Sequence, residues 1–348
     1  MGSTSRTLCL VSRVSGIAGP ASFQRRLTSG LEARGHSVTY RLDQDRCDAV
    51  LVIGGSRNLA GLRRAKRRGV PILQRLDGMN WIHRRRRSGL RHTLRAEANN
   101  LLLRWVRTHL AETVVYQSDF VLRWWESMYG AAPHRSAVIR NGVPLEEFTP
   151  RGFEQPGGKG TRLLVLEGAI GGGYEIGLTW ASALAVGLAA QGATRRPVAL
   201  TIAGRKNKLP ASFKLAGSSQ GVTVDWLGEV PPGSVPALLR ASDLLFSADV
   251  HPACPNSVIE ALACGLPVVA FDTGAIGEIV DRESGAVVPY GGDAWKLQPP
   301  DLDALTIAAG AVLDGGEVFR RGARRRAEAA FGLDRMIDAY LAALGWSA

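Results

Sequence analysis

The 348-residue sequence lacks long apolar runs, and none approaches the ~20 residues that a transmembrane helix requires. Its first residues, MGSTSRTLCLVSRV, include an early arginine, but Ser12 and Arg13 interrupt the short apolar stretch, unlike a secretory signal. Cysteine is also scarce, with no CxxC pair and no histidine at zinc-ligand spacing; it occurs at Cys9, Cys47, Cys254 and Cys264. We therefore expect a protein of the reducing cytoplasm without a structural zinc site.

Acidic residues are scarce in the first part of the chain. Residues 1–150 contain 25 basic and 11 acidic side chains, which gives a net charge of +14. The remaining residues contain 18 basic and 20 acidic side chains, a net charge of −2, so the +12 of the whole chain originates in one half. A basic half indicates an anionic partner, which leaves nucleic acid, anionic lipid and a phosphorylated substrate open.

Strand-like and helix-like segments alternate through both halves, which predicts an α/β protein with parallel, doubly wound sheets. Helical spacing is found over 21–34 and 90–110. The predicted strands are 7–14, 38–42, 49–53, 70–76, 113–117 and 137–139, then 163–166, 198–203, 222–227, 244–247, 267–271 and 286–288. The length suggests two domains, which we predict at 1–145 and 146–330. The linker signals between them are Asn141-Gly142-Val143-Pro144, Pro150 and PGGKG.

The last residues, 331–348, are predicted to form a helix that follows a kink near Gly332 and packs back on the first domain. Its apolar side chains lie on one stripe, composed of Met336, Ile337, Tyr340, Leu341 and Leu344. A helix with such a stripe must dock on another part of the protein.

The segment from His251 to Val280, HPACPNSVIEALACGLPVVAFDTGAIGEIV, is the most informative stretch. Pro255 followed by Asn256 or Ser257 is typical of a helix start, where free backbone N–H groups favour an anion such as phosphate. Glu260 follows about one turn later, where its carboxylate could accept hydrogen bonds from ribose hydroxyls. A plain helix cap followed by a buried helix with an acidic first turn explains the same residues.

The segment CPNSVIEALACGLPVVAFDTGAIGEIV closely resembles the donor-nucleotide motif of GT-B glycosyltransferases, specifically the large retaining family 4 (glycosyl transferases group 1). NGVPLEEFTP resembles the hinge of that family, and RAEAAFGLDRMIDAYLAAL resembles its closing helices, so the resemblance covers most of residues 140–345. It implies the GT-B fold: two doubly wound Rossmann-like domains facing a cleft, with a C-terminal helix crossing back. It also implies a hexosyl-type transferase that uses a nucleotide-diphosphate sugar with retention, and without metal or other cofactor.

The resemblance assigns donor-binding roles in the second half. Asn256, Ser257 and Val258 would present backbone amides to the diphosphate, and Glu260 would bind the ribose. Gly228, Glu229 and Val230 fall where the family contacts the base, although a strand ending in a turn explains them as well. Lys206 lies in a loop where it could approach a phosphate, or it is a solvated loop lysine.

Two departures from the family pattern concern the donor. The acid that usually contacts the transferred sugar is replaced by Pro252, so either backbone amides and His251 hold the sugar or the sugar preference is unusual. Glu167 stands where an arginine is expected, and no lysine follows it. The glycine run Gly171, Gly172 and Gly173 offers backbone amides that could hold the diphosphate instead, or it is a flexible turn.

In the first half, Gly16 and Gly19 follow the first strand and resemble the glycine loop of the family, where a backbone approaches the sugar and the acceptor. Asp77 ends the fourth strand, where the family often has a histidine that touches the sugar, and His83 lies nearby in the sequence. A turn aspartate before Gly78 is the alternative for Asp77.

The basic residues of the first half concentrate between Arg63 and Arg107, among Trp81 and Trp105. Basic and aromatic residues together suit an anionic membrane surface, although a solvated arginine-rich surface remains an alternative. Nucleic acid is disfavoured because no helix-turn-helix, zinc-finger or RNA-binding signature accompanies the charge.

The leading hypothesis is a glycosyltransferase that acts on a glycan or lipid-linked acceptor in cell-surface polysaccharide or glycolipid synthesis, peripheral to the cytoplasmic face of the membrane. Two alternatives stay open. One is a catalytically silent GT-B-like binding module, which the missing donor-side charges favour, and the other is a nucleotide-sugar isomerase.

Overall fold

The computed structural model describes residues 5–11, 16, 19–43, 46–86, 89–152, 160–171, 175–192, 197–207, 209 and 221–346. The chain divides into two units, Met1–Gly142 with Leu333–Ala348 and Val143–Gly332. Val143 forms a parallel bridge with Gly332, and its N–H donates to the carbonyl of Phe331 at 2.8 Å. Both boundaries between the units therefore lie at this one bridge, within the segment that carries the linker signals and at the glycine of the predicted kink.

The first unit contains a six-stranded parallel sheet with the strand order β2-β1-β3-β4-β5-β6. Every residue of the third strand, AVLVI, is buried, as is usual for a parallel strand covered on both faces. The elements are β1 (Thr7–Val11), α1 (Gly19–Glu32), β2 (Ser37–Thr39), β3 (Ala49–Ile53), α2 (Leu59–Arg67), β4 (Ile72–Leu76), α3 (Leu90–His109), β5 (Thr113–Tyr116), α4 (Asp119–Tyr129), β6 (Arg135–Val138) and α11 (Leu333–Leu344).

Local sequence accounts for several of these boundaries. The side chain of Asn58 accepts a hydrogen bond from Gly61 N and caps α2, and that of Ser118 accepts one from Val121 N and caps α4. α1 begins two residues before its predicted start, with Pro20 in the first turn, where a missing N–H costs no helical hydrogen bond. β2 ends at Thr39 rather than at residue 42, where the chain turns away.

Helix α11 completes the core of the first unit. All five residues of its predicted apolar stripe are buried, together with Phe23 and Leu27 of α1. A Cβ added to Gly30 of α1 would lie 2.5 Å from the side chain of Ile337, so the two helices pack in close contact. Arg34 adds ion pairs to Asp334 at 2.8 Å and to Asp338 at 3.1 Å. The prediction that the C-terminal helix crosses back onto the first domain is confirmed.

The second unit contains another six-stranded parallel sheet, with the strand order β12-β11-β10-β7-β8-β9. Its elements are β7 (Thr161–Ile170), α5 (Ile176–Ala190), β8 (Val198–Lys206), β9 (Val222–Gly228), α6 (Val235–Arg240), β10 (Leu244–Phe246), α7 (Asn256–Ala263), β11 (Val268–Phe271), α8 (Ile276–Ile279), β12 (Gly285–Val288), α9 (Leu302–Gly315) and α10 (Glu317–Ala330). The prediction of two doubly wound parallel sheets is thus confirmed.

Strand β7 is longer than the sequence predicted. It continues past a bulge between Leu166 and Ala169, and its last residue, Ile170, accepts a hydrogen bond from Asn207 N at 2.8 Å. Strand β8 is correspondingly extended to Lys206. The bulge residues Glu167 and Gly168 do not read as strand, which is why the prediction ended at residue 166.

Candidate functional site

The strand order of the second unit reverses at β7, with β8 and β9 on one side and β10, β11 and β12 on the other. In open parallel sheets, ligands bind outside the carboxyl ends of the strands at such a reversal. The backbone is tightly packed there, because a Cβ on Gly177, near the start of α5, would overlap the carbonyl of Ala248 that follows β10. This edge of the sheet is our candidate donor site.

Two carboxyl groups lie toward this edge, that of Glu167 in the bulge of β7 and that of Asp249 in the loop after the neighbouring strand β10. Burial and the charge of Asp249 raise the pKa of Glu167 to about 8, and burial raises the pKa of Asp249 to about 7. Asp249 Oδ1 is shielded from solvent and has no hydrogen-bond partner among the described residues. Near neutral pH the pair therefore retains protons and brings little of the negative charge that two ionised carboxylates would carry.

His251 is held in an unusual conformation. Its backbone φ is 59°, in the left-handed region that non-glycine residues seldom occupy, and its ring stacks on Trp295 with 3.7 Å between centroids and 20° between planes. Burial lowers the pKa of His251 to about 4, although Asp293 opposes the shift. The imidazole is thus neutral at physiological pH. The backbone conformation of His251 and the stacked ring of Trp295 fix its position.

The loop after His251 packs against the loop after β11. A Cβ on Gly274, whose φ is 61°, would lie 2.5 Å from the backbone of Pro252, and Ala275 N donates to Pro252 O at 2.8 Å. Pro252, which stands in place of the usual acid, is itself buried. The segment that leads into α7 is therefore fixed by backbone contacts.

Helix α7 begins where the sequence predicted. Pro255 precedes it without a side-chain cap, and Ile259 N donates the first helical hydrogen bond to Pro255 O. The amides of Asn256, Ser257 and Val258 come before that bond, in the turn where helices offer N–H groups to anions. Glu260 follows one turn later with 8% of its surface exposed.

The far end of β8 carries Lys206, which is exposed, with its Nζ 4.3 Å from the ring centroid of Trp226 on β9. Trp226 Nε1 in turn donates to the carbonyl of Gly204 at 3.0 Å. Beyond β9, Glu229 is exposed and Val230 is half-buried. The cation–π contact holds Lys206 near the sheet rather than free in solvent.

The glycine run after β7 is described only at its first residue. Gly171 has a φ of 132°, and a Cβ there would lie 3.0 Å from the Cβ of Asn207, so the position requires glycine. Gly172 and Gly173 lie outside the described residues.

In the first unit, Gly16 is exposed with a φ of 96°, and its carbonyl accepts from Arg25 at 3.2 Å. Gly19 is the first residue of α1. Asp77 directly follows β4, and its carbonyl accepts from Trp125 Nε1 at 2.9 Å. Burial raises the pKa of Asp77, although the charge of Arg75 opposes the rise.

His83 lies in a hydrogen-bonded cluster with Arg84 and Glu97. Its buried ring bonds through Nε2 to Glu97 Oε1 at 2.9 Å, and Arg84 bonds to both oxygens of the same carboxylate. Hydrogen bonds to Glu97 lower its pKa to about 2, and the bond from Arg84 has a larger effect than the one from His83. The structure therefore joins His83 to α3 by an ion-pair network.

Several residues at these sites were missed by sequence reasoning. Arg75 is buried on β4, stacks on Phe23 at 3.8 Å from the ring centroid and donates to Asn141 Oδ1 at 2.7 Å. Asp249 and Trp295 were missed likewise. One signal for these residues was available in the sequence, an arginine within a strand predicted to be buried. Residues whose partners are distant in the sequence leave no such local signal.

The basic segment between Arg63 and Arg107 presents apolar side chains as well. On α3, Leu90, Leu94 and Leu101 are 83%, 70% and 58% exposed and fall on one face, because they are spaced i, i+4 and i+11. Arg63 covers the ring of Trp105 at 4.7 Å. No helix among the described residues has the length and apolar character needed to cross a membrane.

Comparison with known proteins finds a family match within the second unit. Residues 175–298 match the family model described as Glycosyl transferases group 1. The GDP-mannose-dependent alpha-(1-6)-phosphatidylinositol dimannoside mannosyltransferase of Mycobacterium tuberculosis is 29% identical over 137 residues, which are 39% of this chain and 33% of that relative. The chain thus matches about a third of the length of this curated relative.

Solved structures match nearly the whole chain. Sucrose-phosphate synthase from Thermosynechococcus elongatus has a TM-score of 0.73 at 14% identity and covers 98% of this chain and 100% of its own. HepE of Anabaena, solved in complex with UDP-glucose, has a TM-score of 0.69 at 13% identity, with 98% and 99% covered. The chain therefore has the GT-B fold, and its second unit matches the group 1 glycosyltransferases over residues 175–298, which confirms the resemblance predicted from the sequence.

Proposed function

We propose that the protein is a glycosyltransferase whose second unit binds a nucleotide-diphosphate sugar. The observation that supports this most is the start of α7, where uncapped amides precede a buried Glu260 at the carboxyl edge of the sheet. The family match includes this helix. The mannosyltransferase relative is named for its dependence on GDP-mannose, and HepE was solved in complex with UDP-glucose, which are both nucleotide-diphosphate sugars.

The donor is proposed to lie along the carboxyl edge of the second sheet. The first-turn amides of α7 bind the diphosphate, and Glu260 accepts hydrogen bonds from the ribose. The end of β9, with Gly228, Glu229 and Val230, contacts the base. Lys206 supplies a cation from β8, which Trp226 holds in position.

Transfer is proposed to proceed with retention and without a metal, as family 4 implies. The acceptor oxygen bonds the anomeric carbon on the face from which the diphosphate oxygen departs, and the departing oxygen takes the proton of the attacking hydroxyl. The α7 amides stabilise the charge on the leaving group, since Glu167 offers no cation. The neutral ring of His251 hydrogen-bonds a sugar hydroxyl in place of the acid that Pro252 replaces, and Asp77 of the first unit acts on the acceptor.

The acceptor is proposed to be a glycan or lipid-linked molecule at the cytoplasmic face of a membrane, in polysaccharide or glycolipid synthesis. The exposed leucines of α3 can enter the interface while the flanking arginines contact anionic headgroups, each contributing about 1 kcal/mol. Co-sedimentation with phosphatidylglycerol-rich vesicles tests this contact. Binding should be lost in Leu94→Asp/Leu101→Asp and retained in Ile307→Asp, which alters an exposed residue of the second unit; equal binding by both variants would refute it.

A thermal-shift and turnover screen with UDP-, GDP-, ADP- and dTDP-sugars in EDTA tests the transferase proposal. Glu260→Ala should weaken donor binding by about 10- to 100-fold, the value of losing hydrogen bonds to a charged acceptor. Glu32→Ala, an exposed change at the end of α1, should leave it unaltered. Conversion of a donor in the absence of any acceptor would indicate an isomerase instead.

A catalytically silent binding module is the second candidate, favoured by the carboxyl pair of Glu167 and Asp249 where donor-side cations are expected. In that case no nucleotide sugar binds or turns over, and Glu260→Ala leaves the biological activity intact.

A further inference from the structure

A pocket of the second unit lies away from the candidate donor site. It has a volume of about 300 Å³ and is lined by Glu317 and by five arginines, Arg240, Arg320, Arg321, Arg324 and Arg325. Arg240 ends α6, just before β10, and the pocket also includes Gly265, just before β11. Because these strands are parallel, the pocket lies at their amino ends, opposite the edge that carries Asp249 and His251.

Two of the arginines are fixed by backbone acceptors. Arg324 Nη1 donates to the carbonyls of Phe148 and Ala263, both at 2.8 Å, and Arg320 Nη2 donates to the carbonyl of Ser242 at 2.8 Å. These bonds set the guanidinium planes, and each group also has a carboxylate partner, Glu328 at 2.6 Å from Arg324 and Asp243 at 3.4 Å from Arg320. The wall they form is therefore preorganised.

The remaining charge of the pocket is only partly balanced. Arg325 pairs with the exposed Glu283 at 3.0 Å, an ion pair that water weakens. Arg321 is exposed and has no hydrogen bond or ion pair within the described part of the chain. Both side chains can turn to a ligand at little cost.

Cys264 adds no negative charge to the pocket. Burial raises the pKa of its thiol to about 12, even though Arg240 and Arg324 oppose the rise. A neutral thiol leaves the arginines without a thiolate counter-ion and is unreactive. Gly265 keeps the wall open, since a Cβ there would lie 3.2 Å from Pro150.

We infer that this pocket binds the phosphate group of a small phosphorylated molecule. Planar guanidinium groups offer paired donors that match phosphate oxygens, and several of them converge here on one cavity. A volume of about 300 Å³ is at the lower end for small-molecule sites and suits a compact ester rather than a dinucleotide. The inference is independent of the proposed transferase activity.

Calorimetric titration with inorganic phosphate and with glucose 6-phosphate tests the site. Arg321→Gln/Arg325→Gln changes two exposed residues, so its melting temperature should match the wild type while both affinities fall at least about tenfold. Arg282→Gln, an exposed arginine of the same unit outside the pocket, is the matched control and should bind normally. UDP should not displace either probe.

Three results would overturn the inference. The wild type could bind neither inorganic phosphate nor glucose 6-phosphate at millimolar concentration. The double variant could bind them as well as the Arg282→Gln control does. UDP could displace them, which would assign their binding to the donor site.

Discussion

Replacing Glu167 by glutamine is expected to stabilise the protein at alkaline pH and to change little in acid. Burial and the charge of Asp249 raise the pKa of Glu167 from 4.5 to about 8. In the unfolded chain the same carboxyl ionises near its ordinary value, so the folded state holds a proton that the unfolded state has lost at intermediate pH. The stability associated with the protonated form is therefore full below about pH 4 and is lost as the pH rises through about 8.

The magnitude follows from the pKa. One pKa unit corresponds to about 1.4 kcal/mol, so a rise from 4.5 to about 8 sets a ceiling of about 5 kcal/mol on the cost of ionising Glu167. Because Glu167 keeps part of its surface in water and shares the cost with Asp249, we expect about 2 kcal/mol. For a chain of this size that corresponds to an increase in melting temperature of about 3 °C.

Thermal denaturation of the wild type and Glu167→Gln at about pH 5, 7 and 9 measures the effect. The difference in melting temperature should be near zero at the lowest pH and largest at the highest. Asp249→Asn should behave in the same way, since the pKa of Asp249 is also raised, to about 7. Glu32→Gln, at an exposed position, should show no such trend. A difference that is independent of pH, or a loss of stability at the highest pH, would refute the reasoning.

Two further predictions concern packing. Gly177→Ala should destabilise the protein by at least about 2 kcal/mol in chemical denaturation, because its Cβ would overlap the carbonyl of Ala248. The control Gly233→Ala should be tolerated, since a Cβ there would meet no atom within 4 Å. Equal stabilities of the two variants would contradict the close packing. Ile337→Ala should lower the free energy of unfolding by about 2 to 5 kcal/mol, because it opens a cavity under α11. The control Ile307→Ala changes a residue of the second unit that is 69% exposed and should lower it little. An unchanged stability of Ile337→Ala would show that α11 is dispensable.

The sequence was sufficient for features that depend on local pattern. The apolar stripe of α11 and the start of α7 at Pro255 and Asn256 were predicted because spacing and capping are encoded in neighbouring residues. The alternation of strands and helices predicted both sheets. Strand β7 was cut short because Glu167 and Gly168 form a bulge that only pairing with β8 sustains.

The site was less accessible to prediction because its chemistry depends on distant partners. Glu167 was noted as a departure, but its raised pKa depends on burial and on the charge of Asp249, more than eighty residues later in the chain. The stacking of His251 on Trp295 and the contact between Lys206 and Trp226 likewise join separate elements. Single-sequence patterns contain no record of such pairs.

The packing of α11 has a consequence for biosynthesis. The first unit is discontinuous in sequence, since its core includes Met336 and Ile337 as well as Phe23. During translation the apolar face of α1 therefore stays uncovered by α11 until the entire second unit has left the ribosome. We expect the nascent first unit to depend on chaperones during this interval, and termination before residue 333 to produce a protein that aggregates through α1.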